Sequence, residues 1–279
     1  MLYRHRVPRP PLDAFVESIW VFEGDPRPVA LERILPTGAA QLIINLQEDQ
    51  TRLYDPDRDY SCVTSAGASL SGVWSRYCVI DTREQERVAG VVFRPGGTIA
   101  FTRVPAHETA NADIDLECLW DPSRASALRE RLLESAGPEA QLDALEDALM
   151  DAFRPVALHG AVTFALAVFT RAPHTASVTN VTDVIGLSAK RFIERFNREV
   201  GMTPKRYCRI RRFQRAVARA HRGNRVDWTQ VALECGYFDQ AHFIHDFRSF
   251  AGMTPTDYQA ARTPFQNHVK FLQSDSAAI

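Results

Sequence analysis

No stretch of the 279 residues holds about eighteen consecutive apolar side chains, so no membrane-spanning helix is expected. The first residues, Met1-Leu2-Tyr3-Arg4-His5-Arg6, lack the apolar segment of a secretion signal, and a cytoplasmic protein is the expectation. Cysteine is scarce. Cys62, Cys78, Cys118, Cys208 and Cys235 are odd in number, scattered and never in a C-x-x-C pair, which argues against a disulfide framework or structural zinc. Small half-buried thiols are expected instead. G-x-S-x-G and Walker glycine loops are absent, and His107-Glu108 has no second histidine at metal-ligand spacing. His242 and His245 sit three apart without further ligands nearby. No catalytic residue, cofactor or metal site is therefore expected.

A net charge of one sign is also missing, but the total of −1 hides a split. Residues 1–170 carry 16 Lys and Arg against 25 Asp and Glu, whereas residues 171–262 carry 16 against 8. A basic segment of this kind is the electrostatic footprint of phosphate binding.

What is present is an internal repeat within 177–262. Phe196, Gly201-Met202-Thr203-Pro204 and Tyr207 recur as Phe247, Gly252-Met253-Thr254-Pro255 and Tyr258, at an offset of 51. Upstream, Val181 to Gly186 matches Val231 to Gly236 at an offset of 50, so the second turn carries one inserted residue. Each copy reads as helix, tight turn, helix. Val181, Val184 and Ile185 form an apolar stripe ending at Gly186, Leu187 plugs the turn, and Ser188 caps a helix that buries Phe192, Phe196 and Val200. In the second copy Val231, Ala232 and Cys235 precede Gly236, and Asp239 caps a helix burying Phe243, Phe247 and Phe250. Thr203-Pro204 and Thr254-Pro255 each start a further helix.

A single such copy could be a plain helical hairpin. Two matched copies joined by a basic helix argue otherwise. That connector, from Pro204 to about His221, turns Tyr207, Ile210, Phe213, Val217 and Ala220 to one side. Lys205, Arg209, Arg212, Arg215 or Ala216, and Arg219 fall on another, with Arg206, Arg211 and Arg222 beside them. Almost no carboxylate balances them, so phosphate contact is expected.

These residues resemble the DNA-binding domain of the AraC family of bacterial transcriptional regulators, over about 155–262. The specific part is Val231-Ala232-x-x-Cys235-Gly236-Tyr237-Phe238-Asp239-Gln240-Ala241-His242-Phe243, then Phe247, then Gly252-x-x-Pro255. The resemblance implies a seven-helix domain whose two recognition helices enter successive major-groove segments, with Val156–Arg171 as its first helix. Helical phase then assigns base readout to Ala189, Lys190, Ile193, Glu194 and Asn197 in the first helix, and to Gln240, Ala241, Ile244 and His245 in the second. Lys190 can donate to guanine, Gln240 can pair with adenine, Glu194 can accept from cytosine, and Ala189 and Ile193 can touch a thymine methyl. Glu194 stands where many relatives carry arginine; Lys190 and Arg198, each four residues away, can pair with it. Phosphate contact is expected from Ser188, Arg191, Arg195, Arg198, Lys205, Arg209, Arg212, Asp239, His242 and Arg248.

The fold class expected is α+β: a small β-barrel or sandwich-like domain with helices over 1–153, an all-α domain over 154–262, and a tail over 263–279. Leu12, Phe15, Val16, Ile19 and Trp20 suit a short amphipathic helix. Strand-like runs follow at Val29–Leu35, Gln41–Leu46, Thr51–Tyr54, Val73–Asp81 and Arg87–Arg94, with a turn over Asp55–Asp59. Helices are expected near 98–104, 124–135 and 139–153. Leu35-Pro36-x-Gly38 and Phe93-Arg94-Pro95-Gly96-Gly97 resemble the sensing halves of regulators whose ligand is undefined. Trp20, Phe22, Tyr54, Trp74, Tyr77 and Phe93 could line an apolar cavity with Arg94 holding an anionic group, or could simply be core. Leu128, Leu132 and Leu133, with Leu142, Leu145 and Leu149, could form an intersubunit seam or an intrachain hairpin, with a slight lean to the seam.

The expected function is a DNA-binding regulator, more often an activator in this family, with double-stranded DNA as partner. A small-molecule effector, RNA polymerase and a second copy of the chain are further candidate partners. The competing class is a DNA-repair or DNA-modifying enzyme carrying the same reader, which would need an activated cysteine. The uncompensated cations predict that DNA binding weakens steeply as salt rises; a flat salt response in a titration would remove the phosphate argument.

Overall fold

The computed structural model describes residues 1–24, 31–56, 60–82, 86–171, 173, 178–222 and 226–271. The N-terminal half is built from ten strands among these residues. They are β1 (Leu2–Arg6), β2 (Val16–Glu23), β3 (Leu31–Ile34), β4 (Gln41–Asn45), β5 (Gln50–Asp55), β6 (Ser61–Ala66), β7 (Ala68–Ser71), β8 (Cys78–Asp81), β9 (Arg87–Phe93) and β10 (Asp113–Asp115). An eleventh, β11 (His268–Lys270), comes from the far end of the chain. One sheet runs β1-β2-β9-β4-β7-β10 and the other β11-β3-β8-β5-β6. Neither order returns to its first strand, so the β domain is two open sheets, sandwich-like, and not a closed barrel. Val21, Ile44, Leu70 and Val91 of the first sheet share one core with Leu35, Tyr77 and Val79 beside the second.

The amphipathic helix expected from Leu12 to Trp20 is not formed. Only Leu12–Ala14 makes a single 3-10 turn, and Val16 already begins β2. A bulge between Val16 and Ser18 explains the misleading pattern. One inserted residue sets the buried Val16 and Ile19 three apart, which imitates a helical spacing in an extended strand. The run expected over Val73–Asp81 is strand only from Cys78, because the Tyr77 amide donates instead to the Phe250 carbonyl at 2.9 Å. Of the run Val29–Leu35, Val29 and Ala30 lie outside the described residues, as do Asp57, Arg58 and Asp59 of the turn Asp55–Asp59 and residues 272–279 of the tail.

Three helices follow: α1 (Ile99–Thr102), α2 (Pro122–Glu134) and α3 (Pro138–Ala152). Leu128 and Leu132 of α2 and Leu142, Leu145 and Leu149 of α3 are buried within the chain as an antiparallel hairpin, and only Leu133 stays exposed. These leucines are therefore not the intersubunit seam toward which their spacing leaned; the core of the chain's own β domain takes them. Seven further helices are described in the C-terminal half: α4 (Gly160–Arg171), α5 (Val178–Ile185), α6 (Ala189–Val200), α7 (Pro204–Arg222), α8 (Trp228–Glu234), α9 (Gln240–Ala251) and α10 (Pro255–Ala261). Among the described residues no helix is long and apolar enough to cross a membrane.

The tail is not a free end. β11 pairs antiparallel with β3, with Val269 opposite Arg33, and so extends the second sheet after the chain has left the helical domain. The two halves also meet where the Gln214 side chain donates to the Pro36 carbonyl at 2.7 Å.

One half-buried carboxyl group, with one oxygen shut off from solvent, makes the β domain pH-sensitive. On the edge strand β10, burial pushes the Asp113 carboxyl up to about 6, against the lowering pull of Ser71 and Trp74. A folded pKa above the ordinary 3.8 means that the folded state holds the proton more tightly. This contribution is fully present below about pH 4 and lost as pH rises through 6. Asp113→Asn should therefore be more stable than the parent at pH 7.5, by up to about 3 kcal/mol, with the gap closing at pH 4. Urea midpoints at the two pH values measure this, and an equal gap at both would refute it.

Candidate nucleic-acid interface

Both repeats fold as local chemistry dictates. α5 ends at Gly186, whose φ of +67° suits a residue without Cβ. Ser188 then caps α6, its hydroxyl accepting from the Arg191 amide at 3.4 Å. Phe192, Phe196 and Val200 are fully buried, and Phe196 meets Phe169 and Tyr207 at 5.8 Å between ring centroids. In the second copy Gly236 has φ +77°, and the Asp239 carboxylate accepts from the His242 amide at 2.7 Å. Phe243, Phe247 and Phe250 are buried, with Trp228 stacked on Phe243 at 5.8 Å. Full burial of each phenylalanine contributes roughly 1.5–3 kcal/mol, enough to lock the rotational phase of both helices.

That phase decides what faces outward. On α6, Ala189, Lys190, Arg191, Glu194, Arg195 and Arg198 are exposed, while Ile193 and Asn197 are half-buried. On α9, Gln240, Ala241, His245 and Arg248 are exposed and Ile244 and His242 are half-buried. Phe238, immediately before the cap of α9, is 89% exposed, the barest of the large apolar side chains described. Sequence reasoning passed over it; its signal was an aromatic residue in a turn, between Tyr237, which already fills the core, and Asp239, which caps the next helix.

The cations of α7 divide into two groups. Arg209 donates from Nη2 to the Asp246 carboxylate at 2.7 Å, and Asp246 on α9 is 1% exposed. Arg219 pairs with Glu234 on α8. Arg212 lies over the Tyr237 ring at 5.1 Å and donates to the Gly236 carbonyl at 3.4 Å. These arginines hold the second helix-turn-helix onto α7, a use that the charge run by itself does not reveal. Lys205 and Arg215 remain exposed. Between the two repeats lies a cleft of about 630 Å³ whose lining includes Lys205, Arg209 and Arg212 of α7 and His242, His245 and Asp246 of α9, so α7 brings the positive charge and Asp246 offsets part of it. Arg195 leans on Glu199 at 3.6 Å.

The seven residues expected to line a ligand cavity are not gathered around one space. Trp74 donates to the Ser71 hydroxyl at 3.0 Å, Tyr77 shares a 3.0 Å hydroxyl contact with Tyr60, Phe93 packs on Phe101 at 5.4 Å, and Tyr54 sits on β5. Arg94 is exposed, its Nε donating to the Asp13 carbonyl at 2.8 Å. Trp20 and Phe22 alone of the seven line a cleft of about 610 Å³, on the outer face of the first sheet. Its other walls are Arg211 and Gln214 of α7 and the tail residues Phe265 to His268. A Cβ at Gly90 would lie 2.4 Å from the Trp20 indole, so only glycine lets that ring lie flat on β9. No local pattern announces this cleft, since its walls at Trp20 and His268 are 248 residues apart in the chain.

Comparison with known proteins adds two matched segments. Residues 181–261 match the model of a helix-turn-helix domain, and residues 4–115 match a domain of unknown function, DUF6597. A curated relative from Haemophilus influenzae, described as an HTH-type transcriptional regulator, is 24% identical over 147 residues, which are 47% of this chain and 49% of that protein. The chain thus spans about half the length of that relative. Among solved structures, an apo ToxT from Vibrio cholerae is 10% identical, with 87% of this chain and 96% of that one covered at a TM-score of 0.49. A DNA-binding transcriptional dual regulator from Escherichia coli K-12 is 26% identical, covering 38% of this chain and 96% of that one at a TM-score of 0.32.

The Arg209–Asp246 pair yields a stability prediction. Asp246→Ala strands a half-buried guanidinium without its carboxylate and should cost about 3 kcal/mol in urea unfolding. Replacing both partners by apolar residues of similar volume should recover most of it. A loss below about 1 kcal/mol would class the pair with exposed surface bridges.

Proposed function

We propose that this chain, whose residues 181–261 match a helix-turn-helix domain, is a sequence-specific DNA-binding regulator of the AraC family of bacterial transcriptional regulators. The observation that carries this reading is the duplicated reader. Two helices with side-chain caps and inward phenylalanines turn a mixed polar and small-apolar face outward, and Lys205, Arg209 and Arg212 of the connecting helix line the cleft between them. Lys190 and Glu194 on α6, and Gln240 and Ala241 on α9, supply donors, acceptors and a methyl group for base edges, which is the equipment of major-groove recognition. Asn197, Ile193, Ile244 and His245 complete the two edges, with Ala189 at the first turn of α6. Arg191, Arg198, Lys205, Arg215 and Arg248 are placed at phosphates in this reading, and the reader N-termini capped by Ser188 and Asp239 add backbone amides. Phe238 adds an apolar contact for a thymine methyl or a sugar edge.

The cleft between Trp20, Phe22, α7 and the tail is the site this reading assigns to a small-molecule effector, since an occupant would touch the β domain and the connector helix together. Activation through RNA polymerase, a cytoplasmic setting and pairing of two copies are the finer parts of the reading. Of the α2–α3 leucines only Leu133 is exposed, and the buried ones are not available for that pairing.

A repair or modifying enzyme would need a thiolate. Burial pushes the Cys208 thiol up to about 11 and raises Cys78 and Cys235 as well, so these sulfurs stay protonated and unreactive near neutral pH. The thiols are thus not the half-buried set expected: Cys78, Cys208 and Cys235 are buried and unsuited as nucleophiles, while Cys62 and Cys118 are exposed.

Selection of bound duplexes from a random pool by the full chain tests the proposal, and no enriched motif would sink it. On the enriched site, Gln240→Ala should relax preference at one base position, at a cost of ~1–3 kcal/mol there. An equal loss on all sequences would make Gln240 a phosphate contact.

A further inference from the structure

A strand at the edge of a sheet carries unpaired backbone amides and carbonyls, which join any strand that reaches them. Among the described residues the two sheets have four edge strands, β1 and β10 in the first, β11 and β6 in the second. Three of them are guarded. β1 bears Arg4, His5 and Arg6, and Arg6 ties it to Asp143 and Glu146 of α3. β10 is 3 residues long and bears Asp113 and Asp115. β11 bears His268 and Lys270, and Val269, already paired with β3, makes a further antiparallel bridge to Arg262.

β6 has none of these protections. Its sequence, Ser61-Cys62-Val63-Thr64-Ser65-Ala66, holds no charge and no proline, and its β-branched centre suits a strand. It pairs with β5 without a bulge, from Ala66 opposite Gln50 to Ser61 opposite Asp55. On its other side no strand or bridge lies among the described residues. Ser61, Cys62, Val63 and Thr64 are all exposed, although alternate residues point to opposite faces of the sheet. Neighbouring charges are matched within the chain: Arg52 of β5 meets Glu48 at 2.9 Å, and Asp55 meets Arg76 at 2.6 Å.

The ends of β6 fix how its edge can be used. The Ala66 amide donates away from β5, to the Asp115 carboxylate at 2.7 Å. Backbone groups alternate in direction along an antiparallel strand, so those of Thr64 and Cys62 also point outward. At the other end the Tyr60 amide donates to the Asp55 carbonyl at 3.0 Å. A second β6 laid antiparallel therefore finds one register that uses only open amides. It sets each Cys62 opposite the Thr64 of the other copy, makes about four main-chain hydrogen bonds, and brings Val63 against its own copy on the two-fold axis. Shifting by one pair either way calls on the Ala66 or the Tyr60 amide, both of them taken.

Charge selects a second copy as the occupant. Residues 1–170 carry 25 Asp and Glu against 16 Lys and Arg, so two N-terminal halves repel over most of their surface. An uncharged strand opposing itself avoids that repulsion, and a two-fold pairing closes both open edges at once. We propose that two copies of this chain pair antiparallel through β6, joining their second sheets into one, with Val63 on the axis. This builds on the pairing of two copies in the reading above and supplies its surface. It is measured without DNA, so its failure leaves the DNA-binding reading standing.

Sedimentation of the full chain should show dimer growing in across the micromolar range, as suits a small interface. Val63→Lys sets like charges opposite each other on the axis and should raise the dissociation constant roughly tenfold or more. Val63 is exposed, so the urea midpoint of this variant should match that of the parent. Cross-linking then reads the register. With Cys62 and Cys118, the two exposed cysteines, replaced by serine, Val63→Cys should give a disulfide-linked dimer when the thiols are oxidised with diamide. Facing residues of such a pair stand about 4.5 Å apart at Cα, within disulfide reach. The Cys118→Ser chain, whose Cys62 faces a threonine, should cross-link far less. A parent that stays monomeric throughout, or a folded Val63→Lys that dimerises as well as the parent, overturns the proposal. Stronger cross-linking through Cys62 than through Val63→Cys overturns the register.

Discussion

Phe213 on α7 meets Phe247 at 5.1 Å and Phe250 at 5.2 Å, while Tyr207 on the same helix meets Phe196 at 5.8 Å. One helix therefore carries the cores of both repeats, and everything that the C-terminal domain can present follows from that packing. Rotating either reader by one residue would expose a phenylalanine and bury a charge, a double cost of several kcal/mol. The outward residues are thus a by-product of the inward ones. The polar partners are arranged around the same axis: Asp246 enters the interior of α9 because Arg209 on α7 is there to receive it.

The electrostatics of the chain are similarly divided between architecture and partner. The basic connector has no acidic residue of its own, yet Arg209 and Arg219 find carboxylates supplied by α9 and α8. Charge counting along the chain therefore overstates the field left for a polyanion. Lys190, Arg191, Arg198, Lys205, Arg215 and Arg248 are among the cations that remain outward, on the two readers and the helix between them. The β domain shares this economy on the acidic side, where Arg6 and Arg9 engage Asp143, Glu146 and Asp147 and fasten the first strand to α3.

The halves differ in how far local pattern reached. Caps, glycine turns and phenylalanine spacing are interactions within a few residues, so the N-caps and buried faces of the helices 189–200 and 240–251 were legible. In the β half the same kind of reading failed at Val16 and Ile19, because a bulge shifts the alternation and no nearby residue records that a partner strand will absorb it. It failed again at Tyr77, whose amide is claimed by Phe250 in another domain. The leucines of α2 and α3 were equally compatible with two partners, and the position of β2 beneath α3 chose between them.

By itself the sequence determined the existence, caps and phase of two recognition helices and the basic helix between them, because short-range hydrogen bonds and one-sided burial need no distant information. It also determined which side chains those helices turn outward. The tertiary structure alone decided what reaches those side chains. It added the tail as a strand of the second sheet, closed a cleft from β2, α7 and Phe265, and laid the turn Ala106–Glu108 against α6. Each of these joins segments far apart in the chain, and such contacts are set by the sum of packing across the whole core. No local spacing encodes that sum.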